Sequence, residues 1–349
     1  MTPARYNPWL FRFAVLTALA TFLLLGLGGL VTSHEAGMSV PDWPNTYGYN
    51  MFLFPPAQWV GGIFYEHTHR LLASAVGLMT TILAVWLWLK DGRSWMHWLG
   101  VAAFLGVVAQ GVLGGLRVTL HLDSLGIFHG TIAQVFFVLT CVLALFTSRW
   151  WANLVADKSL SPVPGGLQTL VLAATLLVLG QLILGATMRH QHAGLAIPDF
   201  PLAYGRVWPD TGADAVAQYN AQRTPMNGIN PVTAFQIELQ MAHRLMALAI
   251  LVLVALCAGQ ARRRLGGRDA LARLAAIWLG LVLAQGTLGA ATIWTNKAAD
   301  VATLHVLAGS LALALGALWF LIARHRAQPL TETQADGTFG AQAAFAANQ

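Results

Sequence analysis

The stretch Glu66-His67-Thr68-His69-Arg70 runs straight into the apolar segment Leu71 to Leu89, and this junction decides how the chain is read. Ionisable side chains at the mouth of a bilayer-length run are costly to keep there, so they mark a functional site whose partner has to be named. The composition around the stretch is that of a chain dissolved in lipid. Hydrophobic residues make up 56% of the 349, and only 10% are charged, against about 25% in water-soluble chains. The net charge of +6 lies in short loops between apolar spans, where it sets orientation, and offers no patch for nucleic acid. Cys141 and Cys257 fall inside apolar spans without CxxC spacing. They read as small core residues, and neither a disulfide framework nor a thiolate metal site is supported.

Eight stretches are long and apolar enough to cross a bilayer as helices of roughly 20 residues. They lie near 11–32, 67–89, 96–118, 126–147, 166–188, 240–260, 270–293 and 301–323. The first ends in Val31-Thr32-Ser33-His34 without a small-x-small cleavage site, so it reads as a retained anchor and not as a signal peptide. Of the 20 Lys and Arg residues, thirteen lie on the side of the termini, Arg5, Lys158 and Arg262-Arg263-Arg264 among them, and seven on the other. The positive-inside rule then places both termini in the cytoplasm of a bacterial-type cell membrane and the long loops, with the Glu66 stretch, in the periplasm.

An internal repeat organises the spans. Ala36-Gly37-Met38-Ser39-Val40-Pro41-Asp42-Trp43-Pro44 returns as Ala193-Gly194-Leu195-Ala196-Ile197-Pro198-Asp199-Phe200-Pro201, each followed by Tyr-Gly, at an offset of 157. Downstream, His69-Arg70-Leu71 matches His243-Arg244-Leu245, Gln110-Gly111 matches Gln285-Gly286, and His129 matches His305, at offsets of 174, 175 and 176. The jump locates an insertion of roughly 17 residues in the second outer loop. Because each half has an even number of spans, the copies run parallel about an axis along the membrane normal. The expected fold is an all-α polytopic membrane protein, eight transmembrane helices in two parallel-repeat four-helix bundles, covering 11–150 and 160–325. The tail 326–349, short of large apolar residues, reads as disordered.

The repeated histidines fall at one depth. His69 and His243 open the second helix of each half, and His129 and His305 lie near the outer end of the fourth. Two imidazoles facing each other across a four-helix bundle suit a haem iron, and a bundle core accepts a flat apolar macrocycle. The competing explanation, a hydrogen bond to a neighbouring helix, accounts for one such histidine but poorly for four in a duplicated pattern. The odd-numbered spans carry Gly28-Gly29, Leu113-Gly114-Gly115, Leu184-Gly185-Ala186 and Leu288-Gly289-Ala290 near the same ends. These permit close approach of a helix or of a flat ligand. Gln110 and Gln285 suit either a haem propionate or a neighbouring helix. Asp42 and Asp199, following proline, suit local turn bonds. His34, His67, His121, His190 and His192 are placed in outer loops, where a cluster could take up a metal adventitiously, though no cysteine accompanies them as in a copper site. His97 and His325 are expected to be merely solvated.

Together, Glu66-x-x-His69-Arg70, His129, His243-Arg244 and His305 in duplicated four-helix halves resemble the haem A synthase family, from about residue 11 to 323. The resemblance implies an enzyme that oxidises the C8 methyl of haem O to the formyl group of haem A with molecular oxygen, by way of an alcohol and a hydrated aldehyde, to supply terminal oxidases. It implies a haem b held by His243 and His305 in the second half, with His69 and His129 addressing the iron of the substrate in the first. Haem O synthase and oxidase assembly factors are the implied partners, and the sequence shows no docking site for an electron donor. Glu66 has Gln240 at its matching position, and the half with the added carboxylate is the better candidate for chemistry, since an acid there can relay protons. A carboxylate that pairs with Arg70 or caps the helix is the simpler alternative. The family usually has an arginine where Thr32 stands, which Arg189 supplies in the second copy, and some members carry a loop cysteine pair that is missing from 33–65. A dihaem cytochrome b would use the same four histidines, but usually at two depths. A transporter built of parallel repeats needs midplane polar residues, and the spans offer few.

Overall fold

The computed structural model describes residues 6–157, 160–223 and 230–326. Arg5, Lys158 and the tail 327–349 lie outside the described residues. Eight helices of 23 to 32 residues have the length and apolarity to cross a membrane, so this is a multi-pass membrane protein. They are α1 (Pro8–Ser33), α2 (Gly61–Lys90), α3 (Ser94–Thr119), α4 (Leu125–Thr147), α6 (Gly165–His190), α8 (Ala234–Leu265), α9 (Ala270–Trp294) and α10 (Ala299–His325). The shorter α5 (Arg149–Ala156) and α7 (Ala213–Gln222) lie outside the spans. Among the described residues the only β pairing is two isolated bridges.

Local chemistry sets the helix ends. Asn7 accepts from the Trp9 and Leu10 amides ahead of α1, Thr233 and Gln236 form a reciprocal capping box on α8, and Asp269 caps α9 through the Leu271 amide at 2.8 Å. Between these ends Leu16, Leu19, Leu23, Ile82, Val85 and Leu89 stay exposed. Such a surface is unfavourable in water and normal against lipid.

Two expectations need correction. α2 and α8 begin about two turns before His69 and His243, at Gly61 and Ala234, and not at the histidines. Hydropathy stops at the polar residues Glu66 and Gln240, but both are satisfied by the loop folded over them, so the helix continues outward. α5 and α7 were not anticipated, because helices of 8 and 10 residues are too short to show a membrane-type signal. α7 lies within the inserted stretch, and its Tyr219 stacks on Tyr204 of the repeated loop, ring centres 3.6 Å apart.

α1 to α4 pack together, as do α6, α8, α9 and α10, and the two groups meet where α10 touches α1 and α4, and α4 touches α6. Each group has its own apolar core, around Leu83, Leu87, Met96 and Leu143 in the first and around Val254, Cys257, Trp278 and Trp319 in the second. Both cores lie toward the end of the bundle that carries the termini. The other end, under the long loops, is where the repeated histidines and glycines face each other.

The loops repeat as faithfully as the helices. Tyr47 and Gly48 have φ of 50° and 78°, and Tyr204 and Gly205 have φ of 53° and 73°. This is the paired positive-φ geometry of a tight hairpin turn, closed by the bridges Thr46 to Tyr49 and Ala203 to Arg206. Asp42 accepts from the Tyr47 and Gly48 amides at 2.8 Å each, and Asp199 from Tyr204 and Gly205 at 2.7 and 2.8 Å. Both aspartates are therefore turn residues.

Candidate haem-binding site

Four helices present a glycine and four present a histidine at the same level. A Cβ on Gly28 of α1 would lie 3.2 Å from Cε1 of His69 on α2, and one on Gly114 of α3 would lie 3.3 Å from Cε1 of His129 on α4. The second group repeats the arrangement, with 3.4 Å from Gly185 of α6 to His243 on α8 and 3.1 Å from Gly289 of α9 to His305 on α10. Each ring thus lies edge-on against a missing side chain, which brings three of them to the backbone of the glycine's own helix, His69 to Leu24, His129 to Gln110 and His305 to Gln285. The His243 and His305 ring centres are 6.5 Å apart with planes at 66°. Two imidazoles each about 2.0–2.1 Å from one shared metal ion would have centres roughly 6 Å apart. The pair is therefore spaced for one iron atom between them. His69 lies within electrostatic reach of His129 in the first group.

The Nδ1 atoms of His69, His243 and His305 are enclosed, while the rings themselves remain partly open. Gln181 donates to the His243 carbonyl at 3.0 Å. With its amide turned to satisfy both ends, Gln110 donates to His129 at Nδ1 and at the carbonyl, at 3.1 and 3.2 Å. Gln110 therefore serves the neighbouring helix and not a ligand. Gln285 lies against Gly309 on α10, with its Oε1 enclosed and unpartnered. The glycine cradles in both groups, and in the second group the spacing of the histidine pair, fit a flat iron macrocycle.

Glu66 is buried with both oxygens engaged. Oε2 accepts from the Val40 amide at 2.8 Å, and Oε1 accepts from Arg70 at 2.7 Å in an i,i+4 ion pair. Gln240 does half of this in the second copy, where its Oε1 accepts from the Ile197 amide at 2.7 Å. Arg70 and Arg244 clamp the loops by donating to the Asp42 and Asp199 carbonyls at 2.6 and 2.7 Å. Position 66 is thus a loop anchor in both copies and an anionic one in the first alone.

Several other histidines stand elsewhere than expected. His67 lies in α2, not in an outer loop, and is fully buried. Its Nδ1 meets the Thr46 hydroxyl at 3.2 Å, and Phe54 and Trp59 pack on its ring. His190 belongs to the end of α6 and pairs with Asp123 at 3.1 Å. His34 stacks on Tyr65, and among the described residues no three metal-capable side chains gather outside the histidine pairs. His97 and His325 are packed as well as wetted. His97 lies 2.6 Å from the Asp91 carbonyl, and His325 packs against Trp151.

A bridge between the two groups escaped the sequence reading. Asp123, in the turn between α3 and α4, accepts from Arg117 at 2.6 Å and pairs with His190 of the other group. Burial works to raise its carboxyl pKa, but the bonds from Arg117 and His190 hold it below the usual aspartate range. Arg189 donates across the same boundary to the Gly29 carbonyl and the Ser33 hydroxyl, both at 2.5 Å. The only sequence signal was that Arg117 and Arg189 have Thr292 and Thr32 at their matching positions.

Residues 11–317 match the COX15-CtaA family, described as cytochrome oxidase assembly protein. The chain belongs to this family. The chain is also similar to proteins named "Heme A synthase". That of Geobacillus kaustophilus strain HTA426 is 28% identical over 306 residues, 84% of each chain. That of Shouchella clausii strain KSM-K16 is 25% identical over 323 residues, 91% of this chain and 98% of its own. A third, from Shewanella oneidensis, is 25% identical over 322 residues, 85% and 90% of the two chains. The COX15-CtaA match spans both histidine pairs and both copies of the loop.

Proposed function

We propose that this chain is a haem A synthase that oxidises the C8 methyl of haem O to a formyl group, with the first helix group holding haem O and the second a resident haem b. The observation that carries the reading is the fourfold histidine-on-glycine geometry in a chain of the COX15-CtaA family. His69 and His129 would hold the substrate's iron, and His243 and His305 that of haem b. A haem iron of this kind supplies oxygen activation and electron transfer when bound. What the protein adds is placement. The cradles at Gly28, Gly114, Gly185 and Gly289 fix the four rings, and the anchored loops close both sites toward the outer face. The excess of arginine on the terminal side supports an orientation with termini in the cytoplasm and both sites toward the periplasm. Electrons come from a separate donor, and the product passes to terminal oxidase assembly.

Glu66 is the acid of the first site in this reading. A negative charge beside Arg70, where the second copy has a neutral amide, allows a proton to be held and released next to the substrate during methyl oxidation. Glu66→Gln separates this role from loop anchoring, because an amide oxygen accepts the Val40 amide as Gln240 accepts that of Ile197. Purification from cells that make haem O, followed by pigment extraction, should give haem A or its hydroxylated precursor from the parent protein. Glu66→Gln should give haem O and haem b only, with both haems bound. Full haem A production by Glu66→Gln would end the assignment of Glu66. Extraction of haem b alone from the parent, with a quinone-dependent spectral change, would point instead to a dihaem electron carrier.

A further inference from the structure

We propose that Arg117 is the receptor for an acidic side arm of the porphyrin in the first site. The inference rests on the reading of that site as one that binds haem. On α3, Arg117 stands three residues beyond Gly114, whose missing side chain makes room for His129. Residues three apart share a helix face, so the guanidinium lies one turn outward of the cradle. Arg189 stands four residues beyond Gly185, the His243 cradle, in the second site. Each group therefore carries one arginine a turn outward of a cradle glycine, on its third helix in the first group and on its first helix in the second. Thr32, four residues beyond Gly28, leaves the outer end of α1 without a cation.

The placement of Arg117 is firm and its bonding incomplete. Its guanidinium lies on Gly37, whose Cβ would come within 2.9 Å of both terminal nitrogens, so any side chain at 37 would displace it. Asp123 accepts from its Nη2 at 2.6 Å and Nε is enclosed out of a ligand's reach, which leaves Nη1, with no hydrogen bond among the described residues, as the donor open to a ligand. Its charge reaches both His69 and His129. A guanidinium held in place with donors unspent, next to a site for a ligand bearing carboxylates, suits a planar charge-assisted bond. Arg189 differs, since it spends donors on Gly29 and Ser33.

The test compares binding of haem O with that of its dimethyl ester, whose acidic arms are neutralised. It is followed by optical titration of full-length protein in detergent, on the parent, Arg117→Gln, Arg117→Lys and the His69→Ala/His129→Ala double variant. The parent should bind the free acid about tenfold more tightly than the ester, Arg117→Gln should bind both equally weakly, and Arg117→Lys should recover part of the preference. The undiminished spectrum of the haem in the second site serves as the folding control. A parent-like preference in Arg117→Gln would overturn the role of Arg117. Unchanged haem O binding by the double histidine variant would instead overturn the first site itself.

Discussion

The two outer sites are built from one plan and differ in charge. Both set a histidine pair against a glycine pair, and both hold an Asp-capped hairpin over the opening with a His-Arg clamp. Yet the Val40 amide is held by a carboxylate and the Ile197 amide by a neutral amide. At 67 the first copy has a buried histidine, where the second has the buried apolar Met241. The arginine without a counterpart in the other copy comes from α3 in one copy and from α6 in the other. Shape was kept and electrostatics changed, as expected if one site holds a permanent group and the other processes a transient one.

The largest effect expected is on the four paired histidines, proposed above to hold iron. His243→Ala or His305→Ala should empty the second site and leave the first able to take up haem O, and His69→Ala or His129→Ala should do the reverse. Each should weaken its own site by more than about 100-fold, given that losing even an outer partner of a metal ligand costs 10–100-fold. Haem content per protein, measured by extraction, checks this. Loss of both haems from every single variant would mean that the sites do not fill independently.

Next comes the anchor residue. Glu66→Ala removes a buried ion pair and the acceptor of the Val40 amide together, so about 3–5 kcal/mol of stability should go. Gln240→Ala removes only neutral partners, the acceptor of the Ile197 amide and long bonds at 3.4 Å to the Gly194 and Ile197 carbonyls, at about 1–3 kcal/mol. Thermal unfolding in detergent should rank them in that order. Equal losses would mean that the Glu66 charge contributes nothing to its copy.

Much of this was legible before any coordinates. Eight spans, the duplication and the four histidines stand out because lipid imposes long apolar runs and because the repeat places rare residues in register. The outer ends were misplaced for the opposite reason. Glu66, His67 and His190 look like loop residues by polarity, as Gln240 looks like the first residue of its span, and only the folded loop reveals that their polar atoms are satisfied or enclosed. Arg117, Asp123 and His190 were not legible as a group, since they come together from positions as far as 73 residues apart and across the boundary between the helix groups. The glycine cradles were half legible. Their repetition was visible, but that each faces a histidine edge is a matter of helix rotation, which spacing alone does not fix.

Filling the cradles gives a graded comparison between the sites. The alanine Cβ comes to 3.1 Å from the ring in Gly289→Ala and 3.4 Å in Gly185→Ala, on the two histidines of one pair. Overpacking of this kind typically costs about 1–3 kcal/mol, and the closer contact should lie nearer the upper end. A shifted haem absorption band in Gly289→Ala, with Gly185→Ala close to the parent, would match the geometry. The reverse order would mean that the α9 side of the site yields more easily than its packing suggests.

The smallest effects are expected at two aspartates outside the spans, one at each end of the bundles. Asp269 caps α9 and takes two bonds from Arg326, both at 2.9 Å, and Arg326 in turn reaches the Ser161 carbonyl. Burial pushes the Asp269 carboxyl up, but the Arg326 bonds and the helix amides outweigh it. Asp123 is held low by Arg117 and His190 against the same opposition, but its side chain is 48% exposed where that of Asp269 is 13% exposed. Because the folded pKa of each lies below the ordinary aspartate value of 3.8, the stabilisation is fully present above that value. It is lost as the pH falls through the lower folded value. Asp269→Asn should therefore lower the midpoint of thermal unfolding at neutral pH and flatten its acid dependence. Asp123→Asn should do so by less, within about 1 kcal/mol, and its deficit should shrink in about 1 M salt, where screening acts over roughly 3 Å. A deficit for Asp123→Asn that matched Asp269→Asn and ignored salt would mean that the outer bridge joins the two helix groups as firmly as the inner one joins α9 to α10.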